Sequence, residues 1–208
     1  MNSVFFKPWV GKQYGQVNSI FRKKILILGD SHYTDELEVP ELINDQPSSD
    51  FTTAVINDYL NEEIKGNWKS TFTKFMNSFV QGTVHENSAQ EELWNSVAFY
   101  NYLQIPAGSE PRLTQHYDYS KEKDRDAFLE VLSELKPDVI ISWGSKAWDA
   151  IPEDFGFGKY VPNKEFSDFF YTYPFKDVKL QVLGINHPSS AYKSSYWADV
   201  FKVAQINN

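Results

Sequence analysis

Two histidine-bearing clusters near opposite ends of the chain hold the residue types that proton transfer and charge stabilisation require. Gly29-Asp30-Ser31-His32-Tyr33 follows the apolar run Ile25-Leu26-Ile27-Leu28, and Asn186-His187-Pro188-Ser189-Ser190 follows Val182-Leu183-Gly184-Ile185. Asn101 lies between them, in the alternating stretch from Val97 to Gln104. A carboxylate can face developing positive charge, an imidazole can give or take a proton near neutrality, and a carboxamide offers a donor beside an acceptor. His85 and His116 have no motif around them and read as surface residues.

An apolar run that ends in glycine and polar residues reads as a buried parallel strand delivering a loop at its carboxyl end. In open α/β sheets that edge is where ligands bind. The pattern predicts strands at Lys24–Leu28, Val97–Gln104, Val139–Ser142 and Lys179–Ile185. It predicts helices from Asp50 to about Ile64, along the stripe Trp68, Phe72, Phe75, Met76 and Phe79, from Ser88 through Trp94, at Lys121–Leu135, after Gly144 and at Ser190–Ala204. Residues 153 to 177 read as irregular and aromatic. Helical segments between apolar strands imply a three-layer α/β/α sandwich with a mostly parallel central sheet of about four strands. The expected organisation is a single domain over residues 1–208, with an acidic, proline-bearing excursion at about 34–63.

The 208 residues suffice for one well-buried core, and 6 Trp, 12 Tyr and 16 Phe supply more aromatic surface than a core needs, leaving some for planar ligands. With no cysteine, neither disulfides nor thiolate metal sites are available. No apolar run reaches membrane-spanning length and the N-terminus lacks the continuous apolar stretch of a signal peptide, so a cytoplasmic protein without a membrane partner is expected. The net charge of −8 argues against a polyanionic partner, but its distribution is uneven. Residues 34 to 63 hold nine acids and no Lys or Arg, whereas residues 1 to 29 hold no acid and carry Lys7, Lys12, Arg22, Lys23 and Lys24. Local fields decide where a polyanion lands, which makes the N-terminal basic segment a candidate contact.

Two resemblances bear on the chemistry. Gly29-Asp30-Ser31 after a strand resembles the first block of the SGNH (GDSL-type) esterases, which implies Ser31 as nucleophile and His187 as base. Gly184 stands where that family places an Asp three residues before its histidine, and Lys146 follows Gly144-Ser145 where its oxyanion asparagine would be. The order Gly29-Asp30-Ser31-His32-Tyr33, Asn101, Pro137-Asp138-Val139-Ile140-Ile141-Ser142-Trp143-Gly144 and His187-Pro188-Ser189 resembles the uracil-DNA glycosylase superfamily from about Lys24 to Phe201. That superfamily has a Gly-Gln-Asp-Pro-Tyr-type first motif, a base-reading asparagine at the end of a middle strand, and a His-Pro-Ser second motif. Asp30, Ser31 and His32 replace the usual Gln, Asp and Pro, and Tyr33 matches the Tyr that walls the base's C5 edge.

The second resemblance implies a DNA glycosylase that acts on a flipped base without metal or organic cofactor, as a monomer. Asp30 would face the cationic sugar and His187 the departing base, these two being the catalytic pair. Asn101, Tyr33, His32 and Ser31 would contact the base, and Ser189, Ser190 and Lys193 would hold flanking phosphates, with Tyr192 as a wedge in the gap the base leaves. Residues 34 to 50 contain no aromatic to stack on the base. A modified base with a hydrogen-bonding substituent, such as hydroxymethylated or glucosylated cytosine in phage DNA, is therefore expected ahead of plain uracil, and an antiviral role ahead of repair. A catalytically silent binding module for modified nucleotides is the third reading.

Overall fold

A computed structural model describes residues 2–33, 48–79, 87–106, 117–152, 170–176 and 178–206. The order of elements is β1 (Trp9–Val10), β2 (Ile25–Gly29), α1 (Phe51–Leu60), α2 (Lys69–Met76), α3 (Asn87–Asn95), β3 (Ala98–Asn101), α4 (Glu122–Leu135), β4 (Val139–Trp143), α5 (Gly144–Asp149), β5 (Phe170–Phe175), β6 (Val178–Ile185) and α6 (Ser194–Val203). The strands form one six-stranded sheet in the order β1-β3-β2-β4-β6-β5. Strands β3, β2, β4 and β6 run parallel, and β1 and β5 flank them antiparallel.

The parallel four are the strands the apolar runs announce. Residues 25 to 28 and 139 to 143 are buried throughout, because helices cover both faces. The alternation of the strand divides the core cleanly. Ile25, Ile27, Phe99, Val139, Ile141, Trp143, Leu183 and Ile185 pack with α1, α2, α3 and α6, through residues such as Ile56, Phe75, Trp94 and Trp197. Leu26, Leu28, Tyr100, Ile140 and Val182 pack on the other face with Ala127, Phe128, Val131 and Leu132 of α4 and Ala147 of α5. The result is the three-layer sandwich.

The strand count rises from about four to six at the two edges. Strand β1 is only two residues long, below what alternation can reveal. Strand β5 lies inside the stretch read as irregular; its Pro174 is compatible with strand structure because β5 is an outer strand. Helix α1 is shorter than expected, ending at Leu60, and Asp50 makes no side-chain cap; it ion-pairs with Lys7 at 3.3 Å instead. Of the acidic excursion, residues 34–47 lie outside the described residues, as do His85 and His116, while the remainder includes α1, which puts Ile56 and Tyr59 into the core. No helix among the described residues is long and apolar enough to cross a membrane.

The register sets the site. Gly29 stands opposite Asn101, Ser142 opposite Leu28 and Gly184, and Trp143 opposite Ile185, so the carboxyl ends of all four parallel strands fall in adjacent rows. Lys23 and Lys24 precede β2 and therefore lie at the amino edge, about 16 Å away at about 3.3 Å per residue. Lys23 Nζ bonds Gln181 and the carbonyl of Ala204, and the Lys24 backbone N–H donates to Asp138. This corrects the expectation that the whole N-terminal basic segment meets a ligand bound at the carboxyl edge.

Candidate active site at the carboxyl edge of the sheet

The chain after β2 stays pinned to the chain after β3. Tyr102 and Leu103 donate backbone N–H bonds to the carbonyls of Gly29 and Asp30, and His32 pairs with Pro106 in an isolated bridge. This carries Asp30, Ser31 and His32 across the top of β3, beside Asn101. A methyl group at Gly29 would collide with the Asn101 carboxamide oxygen, so the glycine leaves the room that this side chain occupies.

Asp30 is half-buried, and the Tyr119 hydroxyl donates to its Oδ1 at 2.5 Å, the length of a charge-assisted hydrogen bond. Tyr119 lies just before α4, and no motif in the sequence marks it.

His187 stands on the loop after β6, with its ring edge-on to Trp143 at 5.8 Å. Gly144, at φ 81°, occupies the left-handed region and its α-carbon faces the His187 side chain, where a β-carbon would come within 3.2 Å. The Ser189 backbone N–H donates to His187 Nδ1 at 3.2 Å, and Ser189 Oγ lies 2.7 Å from the same nitrogen. Ser190 donates to the His187 carbonyl through both N–H (2.9 Å) and Oγ (2.8 Å). Burial pushes the His187 imidazole below its ordinary value, and the negative charge of Asp30 opposes that shift in part. Asp30 and His187 thus share one electrostatic environment although more than 150 residues separate them.

His32 is buried at 3 % exposure and Asn101 at 5 %. The Asn101 amide lies 3.1 Å from His32 Nδ1 and 3.3 Å from Nε2, and Nε2 is 2.9 Å from Thr52 Oγ1 in the first turn of α1. Phe6 and Phe51 present edges to the imidazole at 4.9 and 4.8 Å. Burial pushes the His32 pKa down to about 3. Tyr33 is half-buried beside it.

The structure redistributes several expected roles. Ser189, expected at a phosphate, turns its hydroxyl to His187, and Ser190 braces the same loop. Tyr192 is not a projecting wedge: its hydroxyl is 2.6 Å from Ser78 Oγ and its ring stacks on Trp197. Lys193 is exposed at the start of α6. Ser31 Oγ is buried without a hydrogen-bond partner among the described residues, and so is Trp143 Nε1. Ser31 and His187 therefore do not form the hydrogen-bonded pair of a nucleophile and its base. Phe6, Phe51, Thr52 and Tyr119 were not legible as site residues; only tertiary contact assigns them. No protein-family model matches the chain, and no curated protein matches it.

Proposed function

We propose that the protein is a DNA glycosylase that hydrolyses the N-glycosidic bond of a damaged or modified base and leaves an abasic site. The observation that carries this reading is that the charge of Asp30 reaches His187 across the carboxyl edge, with Asn101 at the end of β3 beside the strand that delivers Asp30. Breaking the bond develops positive charge on the sugar and negative charge on the base. Asp30 is the anion for the first, held by Tyr119. His187 is the donor for the second: Nδ1 accepts from the Ser189 N–H, so the neutral ring carries its proton on Nε2. As the C1′–N bond breaks, water oxygen bonds to C1′, its proton passes to the Asp30 carboxylate, and the base anion is stabilised by Nε2–H until solvent protonates it.

A neutral donor suits a buried site, because an imidazolium there costs desolvation that the lowered pKa already reports. Residues 34 to 50 hold no aromatic to stack on the base, which favours a base with a hydrogen-bonding substituent over plain uracil. Hydroxymethylated or glucosylated cytosine fits that description. The esterase reading is weaker on two counts: Ser31 Oγ meets no base among the described residues, and a side chain at Gly184 would run into the Trp148 ring, so the acid that family places there has no room.

The test is incubation with uracil-containing, hydroxymethylated and glucosylated DNA, scored for released base by mass spectrometry, with a chromogenic acyl ester in parallel. Base release from at least one DNA is expected. Ester hydrolysis without base release would favour the esterase, and binding without either product would favour the silent module.

A further inference from the structure

Asp30 is held by its backbone and by its carboxylate, and the two holds meet at one buried acid on α4. The Leu103 N–H donates to the Asp30 carbonyl at 3.0 Å, and the next residue, Gln104, donates its N–H to Asp124 Oδ1 at 2.8 Å. Asp124 Oδ2 accepts from the Tyr117 hydroxyl at 2.9 Å. Two residues further on, the Tyr119 hydroxyl donates to Asp30 Oδ1 at 2.5 Å. The bonds close a ring, running from the Asp30 backbone through the end of β3 to α4 and back through the two tyrosines to the Asp30 carboxylate. Gln104 and Asp124 are each 1 % exposed. The Gln104 side chain stiffens its corner: Oε1 accepts the N–H groups of Phe5 and Phe6 at 2.8 and 3.0 Å, and Nε2 donates to the Asn101 carbonyl at 3.3 Å. Tyr117 and Tyr119 are half-buried while Asp118 and Ser120 are exposed, and the two tyrosine rings meet edge to face at 5.7 Å. Burial, and after it the bond to Asp124, push the Tyr117 hydroxyl up, so it stays a donor.

An acid in the first turn of a helix ordinarily caps that helix or answers its dipole. Asp124 lies in the first turn of α4, yet its oxygens go to Gln104 and Tyr117. Anchoring α4 to the end of β3 needs only the Gln104 bond. The second oxygen instead ends on the segment whose next tyrosine holds Asp30. We infer that Asp124 and Tyr117 are positioning residues that set Tyr119 against Asp30 and so fix the direction of the carboxylate relative to its own backbone. A loop-borne carboxylate is otherwise free to turn about its side-chain torsions, and a group aimed in advance loses nothing to reorientation when charge develops. The effect on turnover rests on the glycosylase reading, while the positioning itself does not.

The experiment has two arms. In the first, carbon-13 spectra of the full-length protein follow the Asp30 carboxyl signal, assigned by its loss in Asp30→Asn. Tyr119→Phe should move that signal, and Tyr117→Phe, which keeps the ring and removes only the hydroxyl, should move it the same way. Asp124→Ala should do likewise, and Tyr117→Phe keeps the arm decisive if that variant does not fold. The double variant Tyr117→Phe/Tyr119→Phe should move the signal no further than Tyr119→Phe alone. In the second arm, single-turnover rates and DNA affinities are compared on one DNA substrate. Tyr117→Phe should slow turnover about tenfold at unchanged affinity, and in the Tyr119→Phe background it should cost less than about twofold more. An Asp30 signal at its wild-type position in folded Tyr117→Phe overturns the positioning role. A moved signal with an unchanged rate overturns the effect on turnover, and rate losses that multiply in the double variant overturn action through Tyr119. If wild type forms no abasic site, the glycosylase reading and the effect on turnover fail together, and the carbon spectra alone decide the positioning.

Discussion

The Ser189 backbone N–H points at His187 Nδ1, 3.2 Å away, and by occupying that nitrogen it assigns the proton of a neutral imidazole to Nε2. Two residues of sequence separation thus decide which end of the ring can donate. The cost of keeping this ring charged is visible in its lowered pKa, and the charge of Asp30 opposes the shift. Removing that charge in Asp30→Asn should lower the His187 titration midpoint further, read by following its ring protons with pH. A midpoint unmoved by Asp30→Asn would mean the two groups do not sense one another.

Tyr119 holds Asp30 at 2.5 Å. Hydrogen bonds to charged groups contribute about 1.5–3 kcal/mol, so Tyr119→Phe should slow turnover by about 10- to 100-fold at constant DNA affinity. Circular dichroism should show an intact fold. Loss of affinity with an unchanged single-turnover rate would instead make Tyr119 a DNA contact.

His32 has a stability consequence of definite sign. Its pKa falls from 6.5 to about 3 on folding, so below about pH 6.5 the unfolded chain takes up a proton that the folded chain refuses. The folded state keeps this contribution above pH 6.5 and loses it as pH falls towards 3, by up to about 1.4 kcal/mol per pH unit. Urea unfolding across that window should show a shallower acid loss in His32→Gln than in wild type. Parallel curves would contradict the burial of a neutral ring at this position.

The sheet register also sorts the basic residues. Lys23 and Lys24 sit at the amino edge, whereas Lys193 is exposed at the start of α6, after the His187 loop. Charge reversal at Lys193 should weaken DNA binding and flatten its salt dependence by about one phosphate contact, and reversal of Lys23 and Lys24 should do neither. Equal loss in both variants would place DNA across the opposite edge.

Much of this was readable from residues alone. The four parallel strands announced themselves because burial on both faces forces continuous apolar runs, and the glycines and polar residues that end them marked the loops at the carboxyl edge. Strands β1 and β5 escaped, one for its length and the other because aromatics and a proline disguised an edge strand. Asp30, Asn101 and His187 stood out by type and position. Tyr119, Thr52, Phe6 and Phe51 did not, since ordinary tyrosine, threonine and phenylalanine carry no sign of which polar group they will meet. Tyr192 misled because its place after His-Pro-Ser invites a wedge, while its ring and hydroxyl are committed to Trp197 and Ser78.

The most direct measurement of the central claim is single-turnover formation of alkali-labile abasic sites by wild type, Asp30→Asn and His187→Ala on one DNA substrate, with DNA affinity measured alongside. If both side chains act, as proposed, on charge that exists only in the transition state, each variant should lose about 10²- to 10³-fold in rate while binding DNA as wild type does. Abasic sites formed at wild-type rate by both variants, or abolished by Ser31→Ala while Asp30→Asn retains full activity, would contradict the account.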